Sequence, residues 1–433
     1  MGGHLIPAPR RRRPYPARPA RRVLSAALAV AVLWHAAIGA RAFGADERPP
    51  PLSAKAWYLI DVRDGSRLAG RNIGVPRAIA STTKLMTAYI ALHQLRLGQR
   101  LVAAPYDPLP GESLLGLEAG ERMSVRDLLY GLLLPSGNDA AVTLATGAAG
   151  SVPAFVREMN SAAGRLGLGD TSYANPIGLD EAGNYSTARD LATLALRLRR
   201  QPLFRRIVDT PRATLQTGAH PRTIVNHNEL LLRVPWINGV KTGYTLDAGY
   251  VLVSSGTRKG VTLLSVVLGT PSEAARDQDS VSLLRYGFSL YLRRTPVKVG
   301  ETLAAPAVRG RDERLPLVAA RSARVTARRG ESVRVTVDAP DEVEGPIPRG
   351  RRLGTGVVTV GDQEVARVPL VSKHGALAPA DSSLISQIDD AVPGPRALAW
   401  AITGGVGVTI LIGIAIGLAR LRGRDQPAQG RAQ

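Results

Sequence analysis

The sequence contains no cysteine and very little lysine. Without cysteine, this chain of 433 residues has no disulfide bond, no thiol nucleophile and no cysteine-ligated metal, so ordinary hydrophobic cores must stabilise it. Lysine accounts for only 6 of the 56 basic residues, and the other 50 are arginine. Arginine cannot be deprotonated in a protein, whereas lysine can. A lysine beside a candidate nucleophile is therefore informative in this chain.

The formal net charge of +21 is distributed unevenly. Residues 1–22 hold seven arginines and no acid, and an apolar run at 23–34 and small residues at Ala40 and Ala42 follow. A basic segment, an apolar run and then Ala-x-Ala are typical of a secretory signal, so we predict a signal peptide over residues 1–42. An uncleaved membrane anchor is the alternative. Either one sends the rest of the chain outside, which argues against nucleic acid as a partner.

The other end of the chain carries a second membrane signal. Residues 397–419 contain no charged side chain and lie between Arg396 and Arg420. At about 1.5 Å per residue, a helix of this length crosses a hydrocarbon core of ~30 Å. The arginines after it predict a cytoplasmic tail at 420–433. We therefore expect a single-pass protein of the cell membrane with an extracytoplasmic body. The remaining positive charge would suit anionic envelope polymers or lipid head groups.

Between these ends the sequence predicts an α+β body and then a small all-β domain. The body mixes capped helical patterns, such as a capping box at Ser124 and a helix capped by Asp139, with an apolar hairpin at 250–268. A helix from about Ser272 to Arg293 closes it. From 296 to 373 short alternating runs with glycine and proline turns predict strands alone. Residues 43–51 form a linker, and 374–396 a stalk.

Ser81 and Lys84 are the first candidate pair. They stand three residues apart at the start of a predicted helix, so their side chains share one face. A serine hydroxyl is a weak nucleophile until a base takes its proton, and a desolvated lysine that is neutral part of the time can do so. Alone, the pair also fits an ordinary helix serine followed by a solvated lysine.

Two further tripeptides recur later in the chain. Ser136-Gly137-Asn138 occupies a predicted tight turn between two helices, where both polar side chains can point the same way. Lys241-Thr242-Gly243 lies on a predicted strand, and Gly243 would let a substrate backbone lie close to it. Each alone is also a common turn or strand sequence. The two tripeptides become informative because they follow Ser81 and Lys84 in this order along the chain.

Together the three motifs resemble those of penicillin-binding proteins and serine β-lactamases. Their flanking residues resemble the low-molecular-weight D-alanyl-D-alanine carboxypeptidases, which are serine peptidases of the Ser-x-x-Lys type: Ala80-Ser81-Thr82-Thr83-Lys84-Leu85-Met86-Thr87-Ala88-Tyr89, Pro135-Ser136-Gly137-Asn138-Asp139-Ala140-Ala141 and Lys241-Thr242-Gly243-Tyr244-Thr245. The resemblance implies a catalytic domain at 52–295 in which helices flank an antiparallel sheet. The β-rich domain at 296–373 and the transmembrane helix also match that family's layout.

The resemblance also implies the catalytic roles. Ser81 would attack the penultimate D-Ala carbonyl of a peptidoglycan stem peptide, with Lys84 as its base, and β-lactams such as penicillin would acylate it. Ser136 and Asn138 would relay protons and hold the substrate amide. No metal or other cofactor is implied.

The same resemblance implies the substrate contacts. Lys241 and Thr242 would bind the terminal carboxylate, with Gly243 beside the substrate. The backbone amide of Ser81 and one near Tyr244 would form the oxyanion hole. Arg276 stands where the family has an arginine that assists carboxylate binding, although a surface helix arginine is the alternative explanation for it.

Two other functions remain open at this point. A class A-like β-lactamase would need a carboxylate in a Glu-x-x-Leu-Asn loop, and the sequence contains no such segment. A non-catalytic, membrane-anchored wall-binding protein would keep the fold without turnover. One departure from the family's pattern is His227, which stands where a basic residue often precedes the third motif. We expect His93, on the Ser81 helix, to be structural or exposed.

Overall fold

A computed structural model describes Gly2 and residues 48–377 of the chain. The predicted signal peptide, most of the stalk, the transmembrane helix and the tail lie outside the described residues. The described chain divides into two compact units. The first contains the residues up to Arg293 together with Thr326–Gly330, and the second contains Arg294–Val325 and the residues from Glu331 onwards.

A five-stranded antiparallel sheet, ordered β2-β1-β9-β8-β7, forms the centre of the first unit. Its register pairs Leu59 with Ser265 and Lys241 with Val253. Two small hairpins, β3-β4 and β5-β6, lie outside this sheet. The strands are β1 Ala56–Asp61, β2 Arg67–Arg71, β3 Arg100–Val102, β4 Arg122–Ser124, β5 Arg212–Leu215, β6 Arg222–Val225, β7 Ile237–Thr245, β8 Gly249–Arg258 and β9 Val261–Thr270.

Eight α-helices accompany these strands in the described part of the first unit. Four begin at a serine or threonine whose hydroxyl accepts a hydrogen bond from a backbone N–H in the first turn, as with Ser124 and Thr187. The helices are α1 Lys84–Gln94, α2 Val125–Leu133, α3 Asn138–Ala149, α4 Val152–Leu166, α5 Ala188–Arg199, α6 Pro202–Val208, α7 Leu230–Arg233 and α8 Glu273–Ser289.

The central sheet is buried on both faces. Successive side chains of a strand point to opposite sides, and here each side faces a hydrophobic core. Ile60 and Val253 belong to a large core that also contains the apolar faces of α1 to α6. Leu59 and Leu252 belong to a smaller core with Leu284 of α8. The site described below therefore lies on a sheet covered on both sides, which restricts its movement.

The described residues of the second unit form strands and no helix, which confirms the predicted all-β domain. Its main sheet is antiparallel and ordered β11-β13-β18-β17-β15, and a short parallel pair joins β12 to β16. The strands after α8 are β10 Tyr291–Val297, β11 Thr302–Ala304, β12 Ala307–Val308, β13 Leu317–Ala319, β14 Ala323–Arg328, β15 Val333–Asp338, β16 Glu342–Val343, β17 Arg352–Val360 and β18 Gln363–Ser372.

Two local predictions were wrong. The closing helix ends at Ser289 rather than Arg293, because the chain turns at Leu290 and enters β10. Asp139 does not cap its helix. The helix begins one residue earlier, at Asn138, and the Asp139 carboxylate instead accepts hydrogen bonds from amides of a distant loop.

Within residues 48–377, no single helix is long and apolar enough to cross a membrane. Two consecutive helices, Asn138–Ala149 and Val152–Leu166, are long and apolar enough together, but the chain bends by 83° between them.

Candidate active site

Ser81 lies in a tight 3₁₀ turn, Ala80–Thr83, that leads directly into α1. The preceding residue, Ala80, has φ 46°, a left-handed conformation that is unfavourable for alanine. Gly178, with φ +92°, crosses beside this turn, and a Cβ there would lie 2.1 Å from the Ala80 carbonyl oxygen. Close backbone packing thus holds the serine in place.

Lys84 lies beneath Ser81 and is fully buried. Its Nζ lies 3.1 Å from Ser81 Oγ and 2.6 Å from both Asn138 Oδ1 and the Ile177 carbonyl oxygen. Burial lowers the pKa of Lys84 well below its usual value, and the positive charge of Lys241 lowers it further. The amine therefore loses its proton more readily than a solvated lysine does, and it lies within hydrogen-bond reach of the serine hydroxyl.

The Ile177 carbonyl reaches Lys84 because a short loop is held from two sides. Asn175 Oδ1 accepts hydrogen bonds from the amides of Gly178 at 2.7 Å and Ile177 at 3.3 Å. Thr87, one turn along α1 from Lys84, donates to the Pro176 carbonyl at 2.7 Å. The two acceptors on Lys84, one from this loop and one from Asn138, fix its amine toward Ser81.

Ser136 lines the same cleft as Ser81. Its backbone has φ 65°, in the turn that joins α2 to α3. Its Oγ is buried and has no hydrogen-bond partner among the described residues. A buried hydroxyl without a partner is costly, so this group is suited to bond an incoming ligand.

The third motif lies on β7, with alternate side chains on opposite faces. Lys241 is 1% exposed and donates from Nζ to the Thr242 carbonyl oxygen at 2.9 Å. Burial lowers its pKa to about 7, and the charge of Arg276 contributes to the shift. Thr242 lines the cleft. A Cβ on Gly243 would lie 2.9 Å from the Ser81 backbone nitrogen, so only glycine lets the strand approach this amide.

Arg276, on the first turns of α8, lines the cleft and is 3% exposed. Its guanidinium binds Glu273 Oε1 at 2.7 Å and Asp277 Oδ1 at 2.8 Å. Glu273 is more than half exposed. A substrate carboxylate could therefore replace Glu273 without disturbing the buried Asp277. The structure thus places Arg276 in the cleft rather than on an open surface.

The cleft has a volume of about 560 Å³. The Tyr244 side chain stands at its rim, half-exposed, with its ring centroid 4.3 Å from that of Tyr250 on the paired strand. Its floor and walls include members of all three motifs: Ser81, Ser136, Thr242 and Gly243. Lys84, Asn138 and Lys241 are buried beside these residues and do not line the cleft themselves. Every residue predicted for the site is thus part of this cleft or its support.

His227 also lines the cleft, next to the buried Asn226 and Asn228. Burial lowers the pKa of His227, and the nearby charge of Lys241 lowers it further, so the charged form of the ring is disfavoured. It supplies no fixed positive charge to the substrate site. His93 is exposed, and its Nδ1 lies 2.7 Å from the Tyr89 carbonyl oxygen, as expected for a surface residue of α1.

Glu112 was missed by the sequence analysis. It lies on the long connection between β3 and β4, and its Oε2 accepts a hydrogen bond of 2.6 Å from Asn138 Nδ2. No local motif marks this glutamate, because its partner is 26 residues away in the sequence. No group of three or more His, Asp or Glu side chains suited to a metal ion occurs within residues 48–377.

Two family profiles match the chain. The first, described as D-alanyl-D-alanine carboxypeptidase, matches residues 44–272. The second, described as Penicillin-binding protein 5, C-terminal domain, matches residues 291–375. The two matches cover most of the described residues, and α8 lies between them.

Individual relatives agree with these profiles. D-alanyl-D-alanine carboxypeptidase DacC of Escherichia coli is 33% identical, over 76% of this chain and 86% of its own length. DacF of Bacillus subtilis is 31% identical, over 74% and 85%. Among solved structures, penicillin-binding protein 5 of Haemophilus influenzae matches with a TM-score of 0.54 and 29% identity, covering 76% of this chain and 98% of its own. The Streptomyces K15 DD-transpeptidase matches with a TM-score of 0.54 and 35% identity, covering 56% and 100%.

Proposed function

This chain belongs to the D-alanyl-D-alanine carboxypeptidase family, and from that premise we propose how its residues carry out the reaction. The protein is a serine-type peptidase that removes the terminal D-Ala from peptidoglycan stem pentapeptides and is acylated by penicillins. The observation that carries the proposed mechanism is the buried Lys84 amine, 3.1 Å from the Ser81 hydroxyl.

Acylation begins when neutral Lys84 takes the proton of Ser81. The Oγ then attacks the carbonyl carbon of the penultimate D-Ala and forms a tetrahedral oxyanion. The Ser81 backbone N–H, beside Gly243, donates to that oxygen together with an amide near Tyr244. Because these donors belong to rigid backbone, they need little rearrangement during the reaction.

The C–N bond then breaks and the terminal D-Ala leaves as its amine. The proton that Lys84 accepted passes to this amine, with the Ser136 hydroxyl as the relay, since its Oγ is buried and unpartnered at the cleft wall. Water attacks the remaining Ser81 ester, its proton returns to Ser81 Oγ through Lys84, and the shortened peptide is released. Proton transfer by such positioned groups contributes typically 10²–10⁴-fold to a rate.

The terminal carboxylate of the substrate binds at the third motif. Lys241 supplies a positive charge from below, Thr242 a hydroxyl, and Arg276 a guanidinium at the cleft wall. Charge-assisted hydrogen bonds to a carboxylate are stronger than neutral ones and are geometrically selective. This set explains why the peptide is cut at its carboxyl end.

The function is tested by assaying free D-Ala. The full chain, incubated with a peptide that ends in D-Ala-D-Ala, should release one D-Ala per peptide, and Ser81→Ala should release none. Fluorescent penicillin should label the wild-type protein covalently and leave Ser81→Ala unlabelled. Labelling without D-Ala release would favour the non-catalytic wall-binding alternative, and rapid hydrolysis of penicillin would favour a β-lactamase.

The similarity to a DD-transpeptidase gives a second candidate reaction. There an amine instead of water attacks the Ser81 ester. The same assay, repeated with a D-amino acid or an amino-terminated peptide as acceptor, separates the two reactions. A peptide product that contains the acceptor would indicate transpeptidation, whereas the shortened peptide alone indicates carboxypeptidation.

We also propose that the protein is attached to the cell membrane by a single C-terminal helix, with the catalytic unit outside. The support is the uncharged segment at 397–419 and the basic residues that follow it, together with the signal pattern at 1–42. A peptidoglycan substrate requires an extracytoplasmic site, which agrees with this orientation.

A further inference from the structure

Glu112 lies outside the three motifs, yet a chain of hydrogen bonds connects it to the nucleophile. Its Oε2 accepts from Asn138 Nδ2 at 2.6 Å. On the other side of the amide, Asn138 Oδ1 accepts from Lys84 Nζ, also at 2.6 Å, and Nζ lies 3.1 Å from Ser81 Oγ. Two residues, Asn138 and Lys84, therefore connect the Glu112 carboxylate to the Ser81 hydroxyl.

The chemistry at its two ends determines the orientation of the Asn138 amide. A lysine ammonium can only donate hydrogen bonds and a carboxylate can only accept them. The amide oxygen therefore faces Lys84 and the amide nitrogen faces Glu112. In the reversed orientation, the amide N–H groups would face the Lys84 ammonium, donor against donor, and the amide oxygen would face the Glu112 carboxylate, acceptor against acceptor. Without Glu112, only the lysine would select between the two orientations.

The Glu112 carboxylate is itself held in place. Its Oε1 accepts from the Leu109 backbone N–H at 3.0 Å, and Tyr106 donates its hydroxyl to Oε2. Partial burial works against ionisation, but the hydrogen bonds from Tyr106 and Asn138 outweigh it and hold the pKa of Glu112 below its usual range. The group is therefore a carboxylate at neutral pH.

The loop that carries Glu112 is attached to the start of α3. The Asp139 carboxylate accepts hydrogen bonds of 2.8–2.9 Å from the amides of Leu115, Gly116 and Leu117. The Asn138 backbone N–H donates to the Ser113 carbonyl at 2.8 Å. Two consecutive residues of the helix thus bind the loop, and the Asn138 side chain meets Glu112 in a defined position.

We propose that Glu112 is a positioning residue for acylation, whose carboxylate orients the Asn138 amide so that its oxygen holds Lys84 beside Ser81. This inference rests on the proposed function, because it concerns the same nucleophile. The three motifs supply hydroxyls, an amide and amines to the site, and Glu112 adds an acidic group to them.

The Glu112 charge has a second effect, on the base itself. Burial lowers the pKa of Lys84, and Lys241 lowers it further, whereas the negative charges of Glu112 and Asp139 raise it. Removing the Glu112 charge should therefore lower the pKa of Lys84 again. Because acylation requires neutral Lys84, the acid limb of its pH profile should then move to lower pH.

Two substitutions separate orientation from charge, and a third serves as the control. Glu112→Ala removes both the acceptor and the charge, whereas Glu112→Gln keeps an oxygen that can accept from Asn138. The control is Glu118→Gln on the same loop, because the Glu118 carboxylate faces His220 at 3.5 Å and is exposed. The full chain is acylated with fluorescent penicillin from pH 5 to 9, and D-Ala release is measured in parallel.

We expect Glu112→Ala to acylate about 10- to 100-fold more slowly at pH 7, Glu112→Gln to lose less, and Glu118→Gln to match the wild type. In Glu112→Gln the acid limb should lie at lower pH. Wild-type acylation in Glu112→Ala, or an unmoved acid limb in Glu112→Gln, would overturn the proposal. If melting curves show that Glu112→Ala is unfolded, Glu112→Gln alone decides. A wild-type protein that neither acylates nor releases D-Ala would contradict the proposed function instead.

Discussion

In the proposed mechanism, two buried lysines have different tasks at this site. Lys84 has two neutral carbonyl acceptors besides Ser81 Oγ, and it must lose its proton to act as the base. Lys241 has one, the Thr242 carbonyl, and must keep its proton to attract a carboxylate. Burial lowers the pKa of both groups, and for Lys241 to about 7. The site therefore depends on one lysine being neutral while the other is charged.

Substrate binding should consequently weaken as pH rises through about 7, the pKa of Lys241 in the free enzyme. Above this pH the amine is neutral in the free protein, so carboxylate binding must also take up a proton. We expect KM for a D-Ala-D-Ala peptide to rise by up to about tenfold per pH unit. Steady-state kinetics from pH 6 to 9 measure this directly.

The comparison substrate is the same peptide with a C-terminal amide, whose KM should not follow this rise. The matched variant is Lys241→Arg, because a guanidinium stays charged over the whole range. The KM of Lys241→Arg should therefore stay constant as pH rises, even if the substitution lowers kcat. A KM for the acid peptide that stays constant across this range would contradict the assignment of Lys241.

The sequence predicted the motif residues but not the residues that hold them. Ser81, Lys84 and the two later motifs are recognisable because their chemistry depends on short spacings. Glu112 and the Ile177 carbonyl act through contacts across long sequence separations, 26 and 93 residues, which no local pattern records. Aspartate is a common helix-capping residue, so the sequence predicted a cap at Asp139. In the structure its carboxylate holds a distant loop instead.

At the scale of elements, β7 and the Ser81 turn approach each other more closely than a side chain allows. A Cβ on Gly243 would lie 2.9 Å from the Ser81 nitrogen, 2.9 Å from Val251 Cγ2 and 3.0 Å from Ala80 Cβ. The glycine therefore determines how far the strand lies from the nucleophile.

Gly243→Ala should displace the strand or the turn by a few tenths of an ångström. Since oxyanion donors must be accurately placed, we expect acylation by penicillin to slow by about 10²-fold. The overpacking should also cost about 1–3 kcal/mol of stability. Stopped-flow acylation and thermal melting measure the two effects.

The matched control is Gly164→Ala in α4, where a Cβ would have no neighbour within 4 Å and the residue is helical. It should acylate at the wild-type rate and melt at the same or a slightly higher temperature, because alanine is the better helix former. Equal rates for Gly243→Ala and Gly164→Ala would show that the close approach is not needed.

The order and type of elements were largely predictable, whereas some of their ends were not. A capping box predicted α2 and an apolar run predicted the β8-β9 hairpin, because these signals depend on neighbouring residues. The end of α8 depends on how the chain leaves toward β10, so the predicted helix extended too far. The 3₁₀ turn at Ser81 packs against Gly178, a contact between distant parts of the chain that no local pattern records.

At the scale of the whole molecule, the two units differ in chemistry. The three motifs and Arg276 all belong to the first unit. In the second unit the described residues form strands with many exposed ion pairs, such as Arg309 with Glu344 and Arg367 with Glu364. Exposed pairs of this kind contribute little stability, typically 0.2–1 kcal/mol. The described chain thus confines its predicted chemistry to one unit.

Membrane attachment by 397–419 is tested by fractionation of cells that express either the full chain or a variant that ends at residue 377. The full chain should sediment with membranes and resist a high-salt wash, because attachment is hydrophobic. The shortened protein should appear in the extracytoplasmic soluble fraction. Sedimentation of both proteins, or release of the full chain by salt, would contradict the proposed anchor.

Main chain packs closely around the nucleophile, with Gly178 against the Ala80 carbonyl and Gly243 against the Ser81 amide. In the proposed mechanism, an antibiotic that mimics the stem peptide uses the same backbone groups as the natural substrate. Mutation cannot alter those groups for one ligand alone. We therefore expect drug resistance by substitution to arise more easily at the rim, where the Leu232 side chain is exposed. Compounds that contact only these backbone groups should leave bacteria fewer routes of escape.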